Sequence, residues 1–263
     1  MSEPTTAAIP RILHQIWYQG EAALPERYRP FLDGWRRNHP GWEHRLWDEA
    51  ACRALLAERY PAFLPTWEAY PLFIQRIDSI RYFLLDSFGG VYLDMDMECL
   101  KPIDPLIDGC ELLLSRTVQY NIAALGGVPG HRLWQRARAG LAETASRARP
   151  GGLARWFGGD AKVAAETCGP LFFARMVKDT AADTDPRTRV CPGETFEPHA
   201  PTLVDGRLSF GNGDLSRSYA VHHEALGWMP WGHRQLSRIT RPLFKLAFGR
   251  ARRGAEDTHH GHD

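Results

Sequence analysis

Long apolar runs are missing from this sequence, and no stretch approaches the roughly 18 to 20 uninterrupted apolar residues that a helix needs to cross a bilayer. Residues 1–10 also lack the basic segment and apolar run of a signal peptide. Cysteine is scarce, and its five occurrences are scattered, without a C-x-x-C pair. Such a set predicts reduced thiols rather than a disulfide framework. These absences lead us to expect a cytoplasmic chain that does not span a membrane.

An excess of charge of either sign is missing as well, because 32 Lys and Arg residues almost balance 31 Asp and Glu residues. The composition therefore does not indicate a nucleic-acid partner. One segment departs from this balance, since residues 234–253 hold seven basic residues and no acidic ones. We expect one domain over residues 1–231, long enough to bury a sizeable core, and a basic amphipathic segment with a disordered tail over residues 232–263.

The first third of the chain alternates between strand and helix patterns. Residues 9–18 form a short apolar run that is typical of a buried strand, and residues 42–47 look like a second strand. Each is followed by a helix pattern, over residues 26–37 and 49–59. This order predicts an α/β fold with a mainly parallel sheet flanked by helices. Later in the chain the pattern predicts strands at residues 111–115, 189–191 and 208–210, a turn at 126–130 and a helix over 131–148.

The segment from residue 73 to residue 94 has the clearest pattern. Apolar residues recur every three or four positions, which predicts a helix with one buried face formed by Phe73, Ile77, Ile80, Leu84 and Phe88.

Asp78 and Arg81 are three positions apart and should be neighbours on the surface of that helix. Gly89 and Gly90 should end it, because glycine accepts the positive φ of a C-terminal cap. A short strand follows, in which Tyr92 and the residue two positions later point to one side.

An acidic pair, Asp94 and Asp96, comes directly after that strand. Carboxylate oxygens suit Mg²⁺ or Mn²⁺, which often bind proteins through one or two carboxylates and the phosphates of a substrate. A nucleotide-diphosphate leaving group needs such a cation, since negative charge develops on it as the sugar departs. If the extended backbone continues, Asp96 joins Asp94 on the same side. A second D-x-D, Asp183 and Asp185, follows no apolar strand, and we expect it to be a solvated loop.

The sequence around the acidic pair, QRIDSIRYFLLDSFGGVYLDMD, resembles the D-x-D region of glycosyltransferase family 32. Further similarity lies in IPRILHQIWYQG, WRRNHPGWEHRLWDE, the TCGP element and the HHEALGW stretch. This family includes initiating mannosyltransferases, α-1,4-galactosyltransferases and clostridial glucosylating toxins. The resemblance implies a GT-A fold, a nucleotide-binding α/β sandwich with a mixed, mainly parallel sheet and the metal motif at its centre.

The resemblance also implies roles for individual residues. Asp96 is expected to ligate Mn²⁺ or Mg²⁺ directly, and Asp94 to reach the ion through water while touching the ribose and the transferred sugar. Asp78 is expected to hold sugar hydroxyls, and Arg81 to neutralise sugar or phosphate oxygens.

Other matches are less complete. Trp17 corresponds to an aromatic that stacks on the base, Tyr92 is either a wall of the site or packing, and Asn121 corresponds to an asparagine near the sugar or acceptor. Trp228 could contact the diphosphate. The metal shell could be completed by His222, His223 or Glu224, and because adjacent strand residues point to opposite sides, only one histidine should face the site.

The resemblance implies a retaining transferase that moves a hexose from UDP-hexose or GDP-mannose to a saccharide or glycolipid acceptor. We expect it to act in surface polysaccharide synthesis. Basic residues flanking an apolar helix face suit an anionic membrane, so residues 234–253 are expected to contact the inner face of the cell membrane, unless that helix packs on the domain.

Two alternatives stay open. A phosphatase of the haloacid dehalogenase type also has a strand ending in D-x-D, and a catalytically silent sugar-binding protein could share the fold.

Overall fold

The structure, a computed structural model, describes residues 8–147, 159–204, 207–210 and 214–223. The strands in these ranges are β1 (Ile12–Ile16), β2 (Glu43–Trp47), β3 (Gly90–Leu93), β4 (Met97–Cys99), β5 (Leu112–Arg116), β6 (Tyr120–Gly127), β7 (Thr188–Pro192), β8 (Pro201–Val204), β9 (Arg207–Phe210) and β10 (Ala220–His222). The helices are α1 (Arg29–Asn38), α2 (Glu49–Arg59), α3 (Leu64–Glu68), α4 (Phe73–Phe88), α5 (Asp104–Ile107), α6 (Arg132–Thr144), α7 (Gly159–Thr167) and α8 (Pro170–Thr180).

A six-stranded sheet with the order β2-β1-β3-β6-β5-β7 forms the centre of the fold. The pairs β1–β2, β1–β3 and β5–β7 are parallel, whereas β6 runs antiparallel to both β3 and β5. The predicted mixed, mainly parallel sheet is thereby confirmed. Because β1, β2 and β3 run in the same direction, the residues that follow them lie along one edge of the sheet.

Both faces of this sheet are covered by helices. Trp134 of α6 and Tyr92 of β3 belong to the hydrophobic core on one face. Trp35 of α1, with Val91 and Leu93 of β3, belongs to the core on the other face. The predicted alternation of β3 is confirmed, and it directs Tyr92 towards α4 while its two neighbours point away.

Two small antiparallel pairs lie beside the main sheet. The first joins β10 to β4, with His222 opposite Met97. The second joins β8 to β9. The pairing of β10 with β4 brings a segment from late in the chain next to the residues that follow β3.

The connection between α4 and β3 depends on its two glycines. Gly89 and Gly90 both have positive φ, 63° and 88°. A Cβ atom on Gly90 would also lie 2.5 Å from the Ile12 carbonyl oxygen, so the turn could not sit against β1 with a larger residue there. The predicted helix end at these glycines is confirmed.

The predicted faces of α4 are partly wrong. Ile80 and Leu84 are fully buried as expected, but Phe73 is 44% exposed. Asp78 and Arg81, expected on the helix surface, are only 6% and 2% exposed. The reason is that α3, α6, α7, β3 and β6 all contact α4, which leaves it without a long solvent face.

The turn predicted at residues 126–130 is also misplaced. Gly126 and Gly127 belong to β6 and pair with Leu113 and Leu112 of β5. A Cβ atom on Gly127 would lie 2.7 Å from Trp134 Cζ2, so this glycine admits the indole ring rather than forming a turn. The chain turns only after Gly127.

All five cysteines are free thiols, so no disulfide joins them, as the sequence predicted. Burial raises the pKa of the Cys52 thiol to about 12, which makes that thiol a poor nucleophile. No helix among the described residues has the length and apolar character that a membrane crossing requires.

His14 gives the fold a testable pH dependence. Its ring is fully buried, donates from Nε2 to the Gly89 carbonyl oxygen at 2.9 Å and accepts from Trp47 Nε1 at 3.1 Å. Burial lowers the pKa of His14 from 6.5 to about 4. Between these values the unfolded chain binds a proton that the folded chain excludes, so stability present above pH 6.5 is lost as the pH falls towards 4.

We therefore expect acidification from pH 7 to pH 4 to remove about 3 kcal/mol of unfolding free energy through His14 alone. Urea titrations of the wild type and His14→Gln at several pH values measure this contribution as the difference in unfolding free energy between the two proteins. That difference should narrow as the pH falls. A gap that stays constant from pH 7 to pH 4.5 would contradict the assignment.

Candidate active site

The acidic pair lies at the edge of the sheet where β3 ends. The Asp94 amide donates to the Ala123 carbonyl oxygen at 2.9 Å, which holds Asp94 against β6. The Met97 amide then donates to the Asp94 carbonyl oxygen at 3.2 Å and closes a turn. The extended backbone considered for Asp96 therefore does not continue, and a turn carries its carboxylate back beside Asp94.

His222 completes a group of three potential metal ligands. One ligand atom each from Asp94, Asp96 and His222 lie within 4.8 Å of one another. His222 Nε2 is 3.3 Å from Asp96 Oδ1 and 4.0 Å from Asp94 Oδ2. All three side chains are partly exposed, so a ligand can reach them from solvent.

The chemistry of this group fits a divalent cation. Two carboxylates and an imidazole are donors that Mn²⁺ accepts, and the carboxylates alone would suit Mg²⁺. Burial acts to lower the pKa of His222, but hydrogen bonds to Asp96 and Glu197 and the nearby charge of Asp94 raise it to about 10. The surrounding carboxylates therefore favour positive charge beside this imidazole.

A second charged group, Asp78 and Arg81 of α4, lies directly behind the acidic pair. Arg81 Nη2 donates to Asp78 Oδ1 at 2.6 Å, and Nη1 donates to the Ile122 carbonyl oxygen at 2.5 Å. Arg81 Nη1 is also 3.4 Å from Asp94 Oδ1. Burial raises the pKa of Asp78 to about 6, although the charge of Arg81 opposes this shift. One arginine thus links two carboxylates of the site.

Tyr92 also contacts Asp94. Its hydroxyl donates to Asp94 Oδ1 at 2.6 Å, and the Arg81 guanidinium lies 4.5 Å from the centre of its ring. Tyr92 is only 1% exposed, so it packs behind the site and is not a wall of it. The sequence had left these two possibilities open.

Trp17 and Asn121 lie near the same edge of the sheet. Trp17 follows β1, packs with Met95 in a small apolar cluster and donates from Nε1 to the Ala23 carbonyl oxygen at 3.2 Å. Asn121 Oδ1 accepts from the Ala123 amide at 2.6 Å, and Asn121 Nδ2 is buried with no hydrogen-bond partner among the described residues.

The two adjacent histidines point to opposite sides, as predicted. His223 faces away from the acidic pair, donates to Glu98 Oε2 at 2.9 Å and stacks on Phe31 with ring centres 4.9 Å apart. Glu224 and Trp228 lie outside the described residues, as do residues 232–263 with their basic segment 234–253.

The second D-x-D, Asp183 and Asp185, makes contacts within the fold, whereas the sequence predicted a solvated loop. Asp183 accepts from the Tyr120 hydroxyl at 2.5 Å, and Asp185 pairs with Arg132 and Arg187. Neither aspartate belongs to a metal-ligand group among the residues that the structure describes.

One residue of the site had no sequence signal. Glu197 accepts from His222 Nδ1 at 2.8 Å, yet it lies 25 positions earlier in the chain and in none of the quoted motifs. Only the tertiary structure brings it to the histidine.

Known proteins resemble this chain in both sequence and fold. Residues 25–112 match the family described as the glycosyltransferase sugar-binding region containing the DXD motif. The inositol phosphoceramide mannosyltransferase 1 of Schizosaccharomyces pombe is 37% identical over 128 residues, which cover 47% of this chain and 40% of that protein. The mannosyl phosphorylinositol ceramide synthase SUR1 of Saccharomyces cerevisiae is 33% identical over 140 residues, covering 52% and 36%.

Among solved structures, the ligand-free glycosyltransferase domain of the YGT toxin aligns with a TM-score of 0.50 and 8% identity, over 70% of this chain and 80% of that domain. The resemblance to the DXD glycosyltransferases and the GT-A-type fold are confirmed by these matches. The aligned regions span less than half the length of the two yeast proteins.

Proposed function

We propose that this chain, which carries the sugar-binding region of the DXD glycosyltransferases, moves a hexose from a nucleotide-sugar to a saccharide or glycolipid acceptor with a divalent cation as cofactor. The observation that supports this most directly is the group formed by Asp94, Asp96 and His222, with Asp78 and Arg81 immediately behind it. A cation site beside a sugar-binding helix at the carboxyl ends of parallel strands suits a substrate that combines a diphosphate with a sugar.

The cation would be held by Asp96 and His222, with Asp94 beside them. When bound, Mn²⁺ or Mg²⁺ supplies positive charge that stabilises the departing diphosphate. Contacts from Tyr92 and Arg81 already orient the Asp94 carboxylate of this group.

Asp78 and Arg81 would serve the sugar in different ways. Arg81 is 2% exposed and directs its guanidinium to Asp78, Asp94 and the Ile122 carbonyl oxygen. We infer that it acts chiefly by holding both carboxylates in place, while Asp78 and Asp94 accept hydrogen bonds from sugar hydroxyls. This modifies the direct neutralising role that the family resemblance implied for Arg81. Trp17 would stack on the base, and Asn121 would lie near the sugar or acceptor.

A mannose nucleotide is the first donor to test, because both yeast relatives are named for mannosyl transfer. Their names also favour a glycolipid acceptor over a free saccharide. UDP-hexoses are tested as donors beside the mannose nucleotide. Retention of the anomeric configuration stays a prediction. A role in surface polysaccharide synthesis, membrane contact by residues 234–253 and a position at the cytoplasmic face stay predictions.

The proposal is tested with the full chain, a panel of nucleotide-sugars that includes GDP-mannose and UDP-glucose, and Mn²⁺, Mg²⁺ or EDTA. A donor at 100 times its Kd should add about 2.7 kcal/mol of stability. For a chain of this size that raises Tm by about 5 to 10 °C, and only with metal present. The correct donor should also be hydrolysed slowly to the free sugar and nucleotide diphosphate.

The same assay separates the alternatives. A haloacid dehalogenase-type phosphatase would cleave a phosphomonoester and leave the nucleotide-sugars intact. A silent sugar-binding protein would give the Tm shift without product. Either outcome would overturn the proposed transfer activity.

A further inference from the structure

Among the residues that the structure describes, Glu197 is the one carboxylate that contacts His222 from outside the predicted site. Its Oε1 lies 2.8 Å from His222 Nδ1, whereas the other ring nitrogen, Nε2, faces Asp96 at 3.3 Å. The Glu197 side chain is only 12% exposed. The imidazole is therefore held from one side by Glu197 and presents its other nitrogen to the acidic pair.

The backbone fixes Glu197 independently of this contact. The 3₁₀ turn Gly193–Thr195 precedes Glu197 in the chain. Phe196, which lies between the turn and Glu197, has a fully buried ring. The His222 amide donates to the Phe196 carbonyl oxygen at 3.1 Å, and the Tyr219 amide donates to the Thr195 carbonyl oxygen at 2.8 Å. These bonds attach the segment to β10, so the Glu197 side chain starts from a backbone already placed beside the histidine.

This arrangement has a defined chemical consequence. An imidazole that donates Nδ1–H to a carboxylate keeps the lone pair of Nε2 available for a metal ion, and the carboxylate also fixes the orientation of the ring. Glu98 offers a useful contrast, because it accepts from His223, the adjacent histidine, on the side that faces away from the acidic pair. The described part of the chain thus holds two neighbouring histidine–glutamate pairs, of which the His222–Glu197 pair faces the potential metal ligands.

We propose that Glu197 is a positioning residue of the cation site, which orients His222 so that Nε2 binds the divalent ion. The inference rests on the proposed function, because it takes His222 as a metal ligand. It assigns a role to the segment from Gly193 to Glu197 as the support for that ligand.

The test measures binding of Mn²⁺ itself. The electron paramagnetic resonance signal of free Mn²⁺ is followed as the full chain is added, without nucleotide and with GDP or UDP. The proteins compared are the wild type, Glu197→Ala, Glu197→Gln and Glu98→Ala. Loss of a carboxylate that supports a histidine ligand weakens metal binding by about 10- to 100-fold, which is the expected effect of Glu197→Ala. Glu197→Gln keeps an accepting oxygen at the same reach and should bind Mn²⁺ better than the alanine variant. Glu98→Ala, the matched control, should bind like the wild type.

Two further measurements separate positioning from general structural damage. Saturating Mn²⁺ should restore most of the kcat of Glu197→Ala, because the defect is in metal affinity. In a His222→Ala background, the Glu197→Ala substitution should have no additional effect on Mn²⁺ affinity.

The outcomes separate the metal-dependent function from the role of Glu197. A wild type that binds no Mn²⁺ with either GDP or UDP present would overturn the metal-dependent function itself. A wild type that binds Mn²⁺ while folded Glu197→Ala binds it equally well would overturn only the role of Glu197. Additive losses in the double variant would also contradict that role.

Discussion

Replacing Asp96 with alanine should lower transfer by at least about 1000-fold, which corresponds to roughly 4 kcal/mol of lost transition-state stabilisation. The reason is that, in the proposed function, Asp96 and His222 would hold the cation whose positive charge the departing diphosphate needs. EDTA should reduce the wild type to a similar level, and added Mn²⁺ should restore the wild type but not the variant.

The fold should tolerate this change. Asp96 is partly exposed in a turn whose backbone bond joins Asp94 to Met97, so that bond survives the substitution. In the variant, His222 keeps its hydrogen bond to Glu197. Circular dichroism and Tm without metal should therefore change little, and Asp96→Asn provides a second variant of the same size.

Asp183→Asn is the matched control, since it alters an aspartate of the other D-x-D in the chain. Asp183 accepts from the Tyr120 hydroxyl, and an asparagine oxygen can accept the same bond. This variant should keep its full activity and its response to Mn²⁺. A folded Asp96→Ala protein that retains most of its activity in Mn²⁺ would remove Asp96 from the metal site.

Elements whose ends are marked by a capping residue or by glycine could be predicted from the sequence to the residue. α2 runs over Glu49–Arg59 as expected, because the Asp48 side chain caps it by accepting from the Ala51 amide at 2.8 Å. α4 ends at the double glycine for an equally local reason. The opposite directions of His222 and His223 follow from strand geometry alone, once β10 is recognised as a strand.

Burial could not be predicted as well as the elements themselves. Hydropathy placed Phe73 inside and Arg81 outside, and the structure has them the other way round. A helix covered on several sides cannot have its polar residues assigned to solvent from their chemistry. Such residues are instead buried with partners, as Asp78 and Arg81 are.

Long-range contacts were the least predictable part of the site. Glu197 reaches His222 because the segment before Glu197 is joined to β10 by backbone hydrogen bonds. Neither segment has a hydrophobic periodicity from which that pairing could be predicted. The antiparallel insertion of β6 between β3 and β5 is a similar case. Its glycines look like a turn in the sequence, but a Cβ atom on Gly126 would crowd Leu113 and Val91. One on Gly127 would crowd Trp134 and Leu112.

The burial of Arg81 changes the expected result of its removal. A surface ion pair would contribute a few tenths of a kcal/mol, which implies a stability loss below about 1 kcal/mol. A buried pair broken at one partner typically costs about 3 to 5 kcal/mol, because the other charge stays in the interior uncompensated. Arg81→Met should therefore destabilise the chain by about that amount and, at a temperature where it is still folded, should lower kcat by at least about 100-fold.

Stability and catalysis can be separated with a double variant. Replacing both members of a buried ion pair by apolar residues of similar size is often neutral or stabilising. Asp78→Leu combined with Arg81→Met should therefore recover much of the unfolding free energy lost by Arg81→Met alone. It should not recover kcat, because the double variant lacks both the Asp78 carboxylate proposed to bind the sugar and the Arg81 guanidinium that contacts Asp94.

Urea midpoints and steady-state kinetics on the wild type, Arg81→Met and the double variant measure both effects. A stable double variant with wild-type kcat would show that the pair serves only the fold. If Arg81→Met lost less than about 1 kcal/mol, the Arg81 guanidinium would have to be solvated rather than enclosed between α4 and β6. The expected pattern, restored stability with no restored turnover, would mean that this buried charge contributes mainly to catalysis rather than to folding.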